Sequence, residues 1–147
     1  VVTAQHQPQT TLSVGDGPDP DLSARLEQEL TAFNTAATGD HYKRPFSIRV
    51  TDNHGALVAG LRGWTWDTCA GITLLWVSED HRRQGCGERL LIAAESKARE
   101  HGCGQVIVSS FTFQAPDFYK RCGYLEACRT EGVPRRGSAE VHLFKCL

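Results

Sequence analysis

The stretch "WVSEDHRRQGCGERLL", Trp76 to Leu91, constrains the fold more than any other part of the chain. The apolar run "AGITLLWVS" leads into it and reads as a strand that can lie centrally in a sheet. A helix follows from about Gly85 to His101, with Leu90, Leu91, Ala94 and Ala98 on one face, Glu88, Glu95 and Arg99 largely on the other, and Gly102 suited to end it. The first N–H groups of a helix have no partner inside it and carry the positive end of the macrodipole, so such a turn suits an anion. Gly85 and Gly87 lack a Cβ and let a phosphate approach the backbone, while Arg82 and Arg83 offer charge-assisted contacts. Gln84, Cys86 and Glu88 contribute mainly their backbone N–H groups.

Other phosphate cradles are set aside by what the turn lacks. A P-loop needs Lys and Ser/Thr after its last glycine, and neither follows here. A dinucleotide fingerprint needs a third small residue where Leu90 stands, and it opens a first strand–helix unit, whereas this turn comes after three strands. Sixteen Lys and Arg against seventeen Asp and Glu leave a net charge of −1, so the overall balance predicts neither nucleic acid nor an anionic membrane as partner. The anion site must be local. No run approaches the ~20 apolar residues of a membrane helix, and "VVTAQHQPQTTLSV" lacks the blocks of a signal peptide, which predicts a soluble, cytoplasmic protein. The six cysteines form no C-x-x-C pair and the six histidines show no ligand spacing, so free thiols and no metal are expected, with Cys122 and Cys128 able to meet across a turn.

The 147 residues suit one domain, 1–147, whose first twenty residues, ending in "GDGPDP", read as a flexible arm with a short strand at "TTLSV". From Asp21, "DLSARLEQELTAFNTAATG" places Leu22, Leu26, Leu30 and Phe33 at helical spacing. "FSIRVTDNHGALVAGLRGWTW" predicts a hairpin that turns at "DNHG", where Asn and Gly permit positive φ. After the motif helix come the strand "QVIVSS", a short helix in "APDFYKRCGY" with Pro116 in its first turn, and a closing hairpin from "YLEACRTEG" and "AEVHLFKCL". That order, helix, three strands, helix, strand, helix, two strands, predicts an α/β fold: a mixed central β-sheet flanked by helices.

Arg82, Gly85 and Gly87 after "LLWV" form an R-x-x-G-x-G pattern that resembles the acyl-CoA signature of the GNAT N-acetyltransferase superfamily. "FQAPDFYKRCGY" resembles the family's later segment through Ala115, Phe118, Tyr119, Gly123 and Tyr124. The resemblance runs from about Phe46 to the C-terminus and also includes a subgroup of small bacterial members. It implies acetyl-CoA as cosubstrate and direct transfer of the acetyl group to a primary amine of a small molecule or peptide.

By that resemblance, the pantetheine arm lies between "TLLWV" and "QVIVSS", contacting Trp76, Val77, Ser110, Thr112, Phe118 and Tyr119. A backbone N–H near Val77 meets the thioester carbonyl, and Tyr119 is the general acid. Thr112 departs from the family, where many relatives carry asparagine. The family's acidic or histidine base has no counterpart in "GITLLWV", where Thr73 is the one polar side chain; Asp67, Glu79 and Asp80 are the acids nearby. Trp64 and Trp66 alternate along their strand and project to one face, where they can wall an acceptor pocket or simply pack. Two other readings keep the same turn: a non-catalytic acyl-CoA sensor, and a protein-interaction module. The terminal hairpin offers an edge for a homodimer.

Overall fold

A computed structural model describes residues 10–39 and 42–147. Of the expected arm, residues 1–9 lie outside the described residues, while 10–14 form no strand and leave Leu12 and Val14 exposed. The first element is helix α1, Pro20–Thr38, capped by Asp19, whose carboxylate accepts from the Leu22 N–H at 2.9 Å. Strands β1 (Arg44–Thr51), β2 (Leu57–Trp66) and β3 (Cys69–Val77) follow as an antiparallel meander. In the first hairpin Gly55 has φ 82°, and the organising residue is Asp52, whose carboxylate accepts from His54 and Ala56 N–H; Asn53 does not take the positive φ.

Helix α2 (Cys86–Glu100) returns the chain to β4 (Gln105–Phe111), parallel to β3. Helix α3 (Pro116–Arg121) and the hairpin β5 (Leu125–Glu131) and β6 (Ala139–Cys146) complete the mixed sheet, ordered β1-β2-β3-β4-β6-β5. β6 inserts between β4 and β5, and β5 is left as the edge.

Alternation along the strands sends Ala59, Leu61, Ala70, Ile72, Val106, Val108, Val141 and Leu143 to one face. There they pack against Leu90, Leu91, Ala94 and Ala98 of α2 and against Tyr119 and Tyr124. Helix α1 behaves differently. Its apolar stripe, Leu22, Leu26, Leu30 and Phe33, is 52–72% exposed, and none of its residues is buried. The opposite, polar side of the helix, Thr31, Asn34 and Thr35, approaches Tyr42, Lys43 and Trp66 at the end of the sheet. All six cysteines are free thiols, Cys122 and Cys128 among them.

Because the α1 stripe faces solvent, replacing Leu26 and Leu30 with lysine should change unfolding free energy by no more than about 0.5 kcal/mol each in urea melts. A loss of about 2 kcal/mol or more would show that something covers the stripe in solution.

Candidate active site

The site begins where two strands part. β3 and β4 pair only from Cys69↔Gln105 to Ile72↔Val108. On the other side of β3 the register with β2 shifts, since Gly63 opposes Ile72 and Arg62 opposes Leu74, leaving Thr73 as the extra residue of a bulge. A bulge bends its strand and sharpens its twist, and here it sits where β3 leaves β4. Beyond it, Ser78 N–H donates to Val58 carbonyl at 2.8 Å, toward β2. Successive N–H groups of a strand point to opposite edges, so the Val77 N–H points into the gap on the β4 side. The Val77 carbonyl points the same way and accepts from Arg82 Nε at 3.3 Å.

The chain then makes a single 3₁₀ turn, Glu79–His81, tied by a 2.8 Å bond between Ser78 Oγ and His81 Nδ1. Arg83 follows with φ 59° and Gly85 with φ 80°, the left-handed region that glycine enters without steric cost. Gly85 is the N-cap of α2, and among the described residues no side chain caps this helix. Its leading N–H groups therefore open toward a cleft of about 820 Å³ lined by Trp76, Val77, Arg82, Arg83, Gly85, Gly87, Glu88 and Phe118. Gly87 serves a purpose beyond ligand approach. A Cβ there would lie 3.0 Å from the Phe118 ring, tighter than an ordinary contact, so the bare glycine lets the ring rest on the first turn of α2 without giving way. The two sequence motifs interlock at this contact.

Five residues expected around the cofactor do not line the cleft. Gln84 turns back, its amide donating to the Asp80 carbonyl at 2.6 Å, and the Cys86 side chain is buried in the core. Ser110 Oγ accepts from Ala115 N–H at 3.3 Å and Thr112 Oγ1 from Ala139 N–H at 3.1 Å, so both hydroxyls hold the loop between β4 and α3. Tyr119 is buried behind Phe118, in edge-to-face contact with Phe118 and Tyr124 at centroid distances of 5.2 and 5.7 Å. Burial first, and then the neighbouring Cys122, push its phenol up to about 12.

Of the acids, Asp67 lies in the turn before β3, at the end away from Val77; nine strand residues at about 3.3 Å each put them roughly 30 Å apart. It is too remote to deprotonate an amine at that end. Glu79 and Asp80 are exposed just past Val77, outside the cleft lining. Trp64 and Trp66 do share a face of β2, but the chain's own Lys43 lies 4.4 and 6.0 Å from their rings. Trp64 also lines a second cavity of about 340 Å³ with Ile107, Ser109, His142 and Phe144. The cleft further includes His81, Gln114, Arg121 and Cys122, which sequence reasoning passed over. Arg121 and Cys122 carried a signal, standing one turn of helix from Phe118 within the second motif.

Residues 10–124 match the family model described as the acetyltransferase (GNAT) family. This chain belongs to the GNAT family. It is 39% identical over 98 residues to blasticidin-S acetyltransferase of Streptomyces morookaense, covering 62% of this chain and 70% of that one. An acetyltransferase of Agrobacterium fabrum is 30% identical over 111 residues, covering 76% and 81%. The crystal structure of an acetyltransferase from Bacillus cereus ATCC 14579 superposes with a TM-score of 0.79 at 28% identity, covering 92% of this chain and 98% of that one. As a GNAT acetyltransferase the protein uses acetyl-CoA as its donor.

The Gly87–Phe118 contact yields a test. Gly87→Ala should gain less than the ~1 kcal/mol that alanine ordinarily brings to a helix, because the Phe118 ring must give way, and adding Phe118→Leu should release that gain in thermal melts.

Proposed function

We propose that the protein transfers an acetyl group from acetyl-CoA to a primary amine of a small molecule by direct attack in a ternary complex. The observation that carries the reading is the uncapped, glycine-started helix α2, which opens onto the same cleft as Val77, the last residue of a strand parted from its neighbour. The cleft residues fit the donor: Arg82, Arg83 and the N–H groups from Gly85 to Glu88 hold the pyrophosphate, and Phe118 with Val77 and Trp76 gives the pantetheine arm apolar walls. Bound acetyl-CoA supplies the activated thioester.

The chain's residues then meet the demands of the reaction. The Val77 N–H, aimed into the gap, stabilises charge on the acetyl carbonyl oxygen, where a preorganised donor has most effect. We assign the proton for the leaving sulfur to Tyr119; its ring stands behind Phe118 and outside the cleft lining, so the thioester must draw the Phe118 ring aside to reach the Tyr119 hydroxyl. Its raised pKa keeps the phenol protonated at neutral pH. Glu79, the exposed acid nearest Val77 in sequence, takes the amine's proton through water. A small-molecule acceptor is supported by the relative named for blasticidin S. A panel of small amines that includes blasticidin S, incubated with acetyl-CoA and read by mass for the added acetyl group, tests the proposal; thiol release that no amine accelerates would overturn it.

Two outcomes follow for variants. Tyr119→Phe should lower kcat by about 10²–10⁴-fold with CoA affinity unchanged. Since the Tyr119 pKa is raised from its ordinary ~10 to about 12, its ionisation adds no alkaline fall in kcat up to about pH 10; a fall centred below that would show that another group donates the proton. Replacing Arg82 and Arg83 with alanine should weaken CoA binding, measured by calorimetry, more than it slows turnover at saturating donor.

A further inference from the structure

Helical spacing assigns Glu95 to the solvent side of α2, yet it is 5% exposed. What makes that burial tolerable is Lys145 of β6, whose ammonium donates to both carboxylate oxygens of Glu95 at 2.9 Å. The third donor of the ammonium is spent on the carbonyl of Cys122, also at 2.9 Å. Cys122 is the C-cap residue of α3, and its own N–H bonds back to the carbonyls of Phe118 and Tyr119. The next bond in the chain runs from Tyr124 N–H to the Tyr119 carbonyl at 3.0 Å. Lys145 Nζ also lies 5.6 Å from the centroid of the Tyr124 ring, against which Tyr119 packs. One ammonium thus touches the end of α3 and the aromatic platform beneath Tyr119. Two more distant elements, α2 and β6, fix where that ammonium sits.

We propose that Lys145 is a positioning residue for Tyr119, with Glu95 holding its ammonium against the Cys122 carbonyl. A short helix of six residues has little stability of its own, so its orientation is set by the contacts at its ends. At the N-terminal end those are the Ser110 bond to Ala115 and the packing of Phe118 on Gly87; at the C-terminal end they are Lys145 on the Cys122 carbonyl and the more exposed ion pair of Lys120 with Glu126 at 2.7 Å. The inference rests on the assignment of Tyr119 as the residue that meets the sulfur of CoA.

The test uses the full chain labelled with ¹³C at the Cζ of tyrosine. Its three tyrosines give three signals, and Tyr119→Phe identifies the one that matters. The key variant is Glu95→Met with Lys145→Met, because exchanging an ion pair whose carboxylate is buried for apolar side chains commonly leaves a fold intact while removing the bond to Cys122. In the wild type, CoA should shift the Tyr119 signal. In the double variant, with melting temperature and CoA affinity retained, that shift should be lost, and Lys145→Arg should keep it. A double variant that still shows the full CoA-induced shift overturns the positioning role while leaving the Tyr119 assignment standing. If CoA does not move the signal in the wild type, the Tyr119 assignment itself falls, and this inference falls with it.

Discussion

The parting of β3 from β4 is the constraint on which the rest of the site depends. Four pairs of residues hold the two strands together, and then a bulge at Thr73 turns β3 away. In a closed parallel sheet the Val77 N–H would be spent on its neighbour, and the turn that follows would lie flush with the sheet end. Because the strands separate, a backbone donor is left facing a space that a thin, extended ligand can enter. No side chain is needed to make that donor, and this explains why the sequence around it, "LLWV", is apolar apart from its peptide groups.

The walls of the space are held by contacts between segments far apart in sequence. Gly87 and Phe118 meet because one has no side chain and the other has a flat one. The hydroxyls of Ser110 and Thr112 tie the loop before α3 to its surroundings, and buried Leu90, Leu91, Ala94 and Ala98 press α2 onto the sheet. The N-terminal end of α2, which faces the cleft, is therefore anchored from one side by its own apolar stripe and from the other by α3.

Much of this was legible in the chain. Element order, the central place of β3, the glycine turn and the cap at Gly102 follow from local periodicity and backbone chemistry, which neighbours in sequence decide. Most of the losses were tertiary. Glu95 reads as a surface residue until Lys145, fifty positions away, is brought beside it. Asp67 sits close to the Trp pair in sequence, but an extended strand carries it to the wrong end of the sheet. The hydroxyls of Ser110 and Thr112 have the right chemistry for a ligand, and their partners in the loop and in β6 claim them first. The stripe of α1 is plain in the sequence, and periodicity alone does not say which way a helix will turn it.

One bond described above links the two ends of the donor site. Arg82 keeps its Nε on the Val77 carbonyl while its guanidinium faces the cleft. A guanidinium is planar and delocalised, so fixing its terminal nitrogens on an anion also fixes the direction of Nε. On the proposed reading, occupancy at the phosphate end would be transmitted over five residues to the Val77–Ser78 peptide, the unit next to the one whose N–H faces the gap. The nucleotide half of the donor, which takes no part in the chemistry, would stiffen the residue that carries the oxyanion donor, and remote binding free energy would reappear as order at the reacting end.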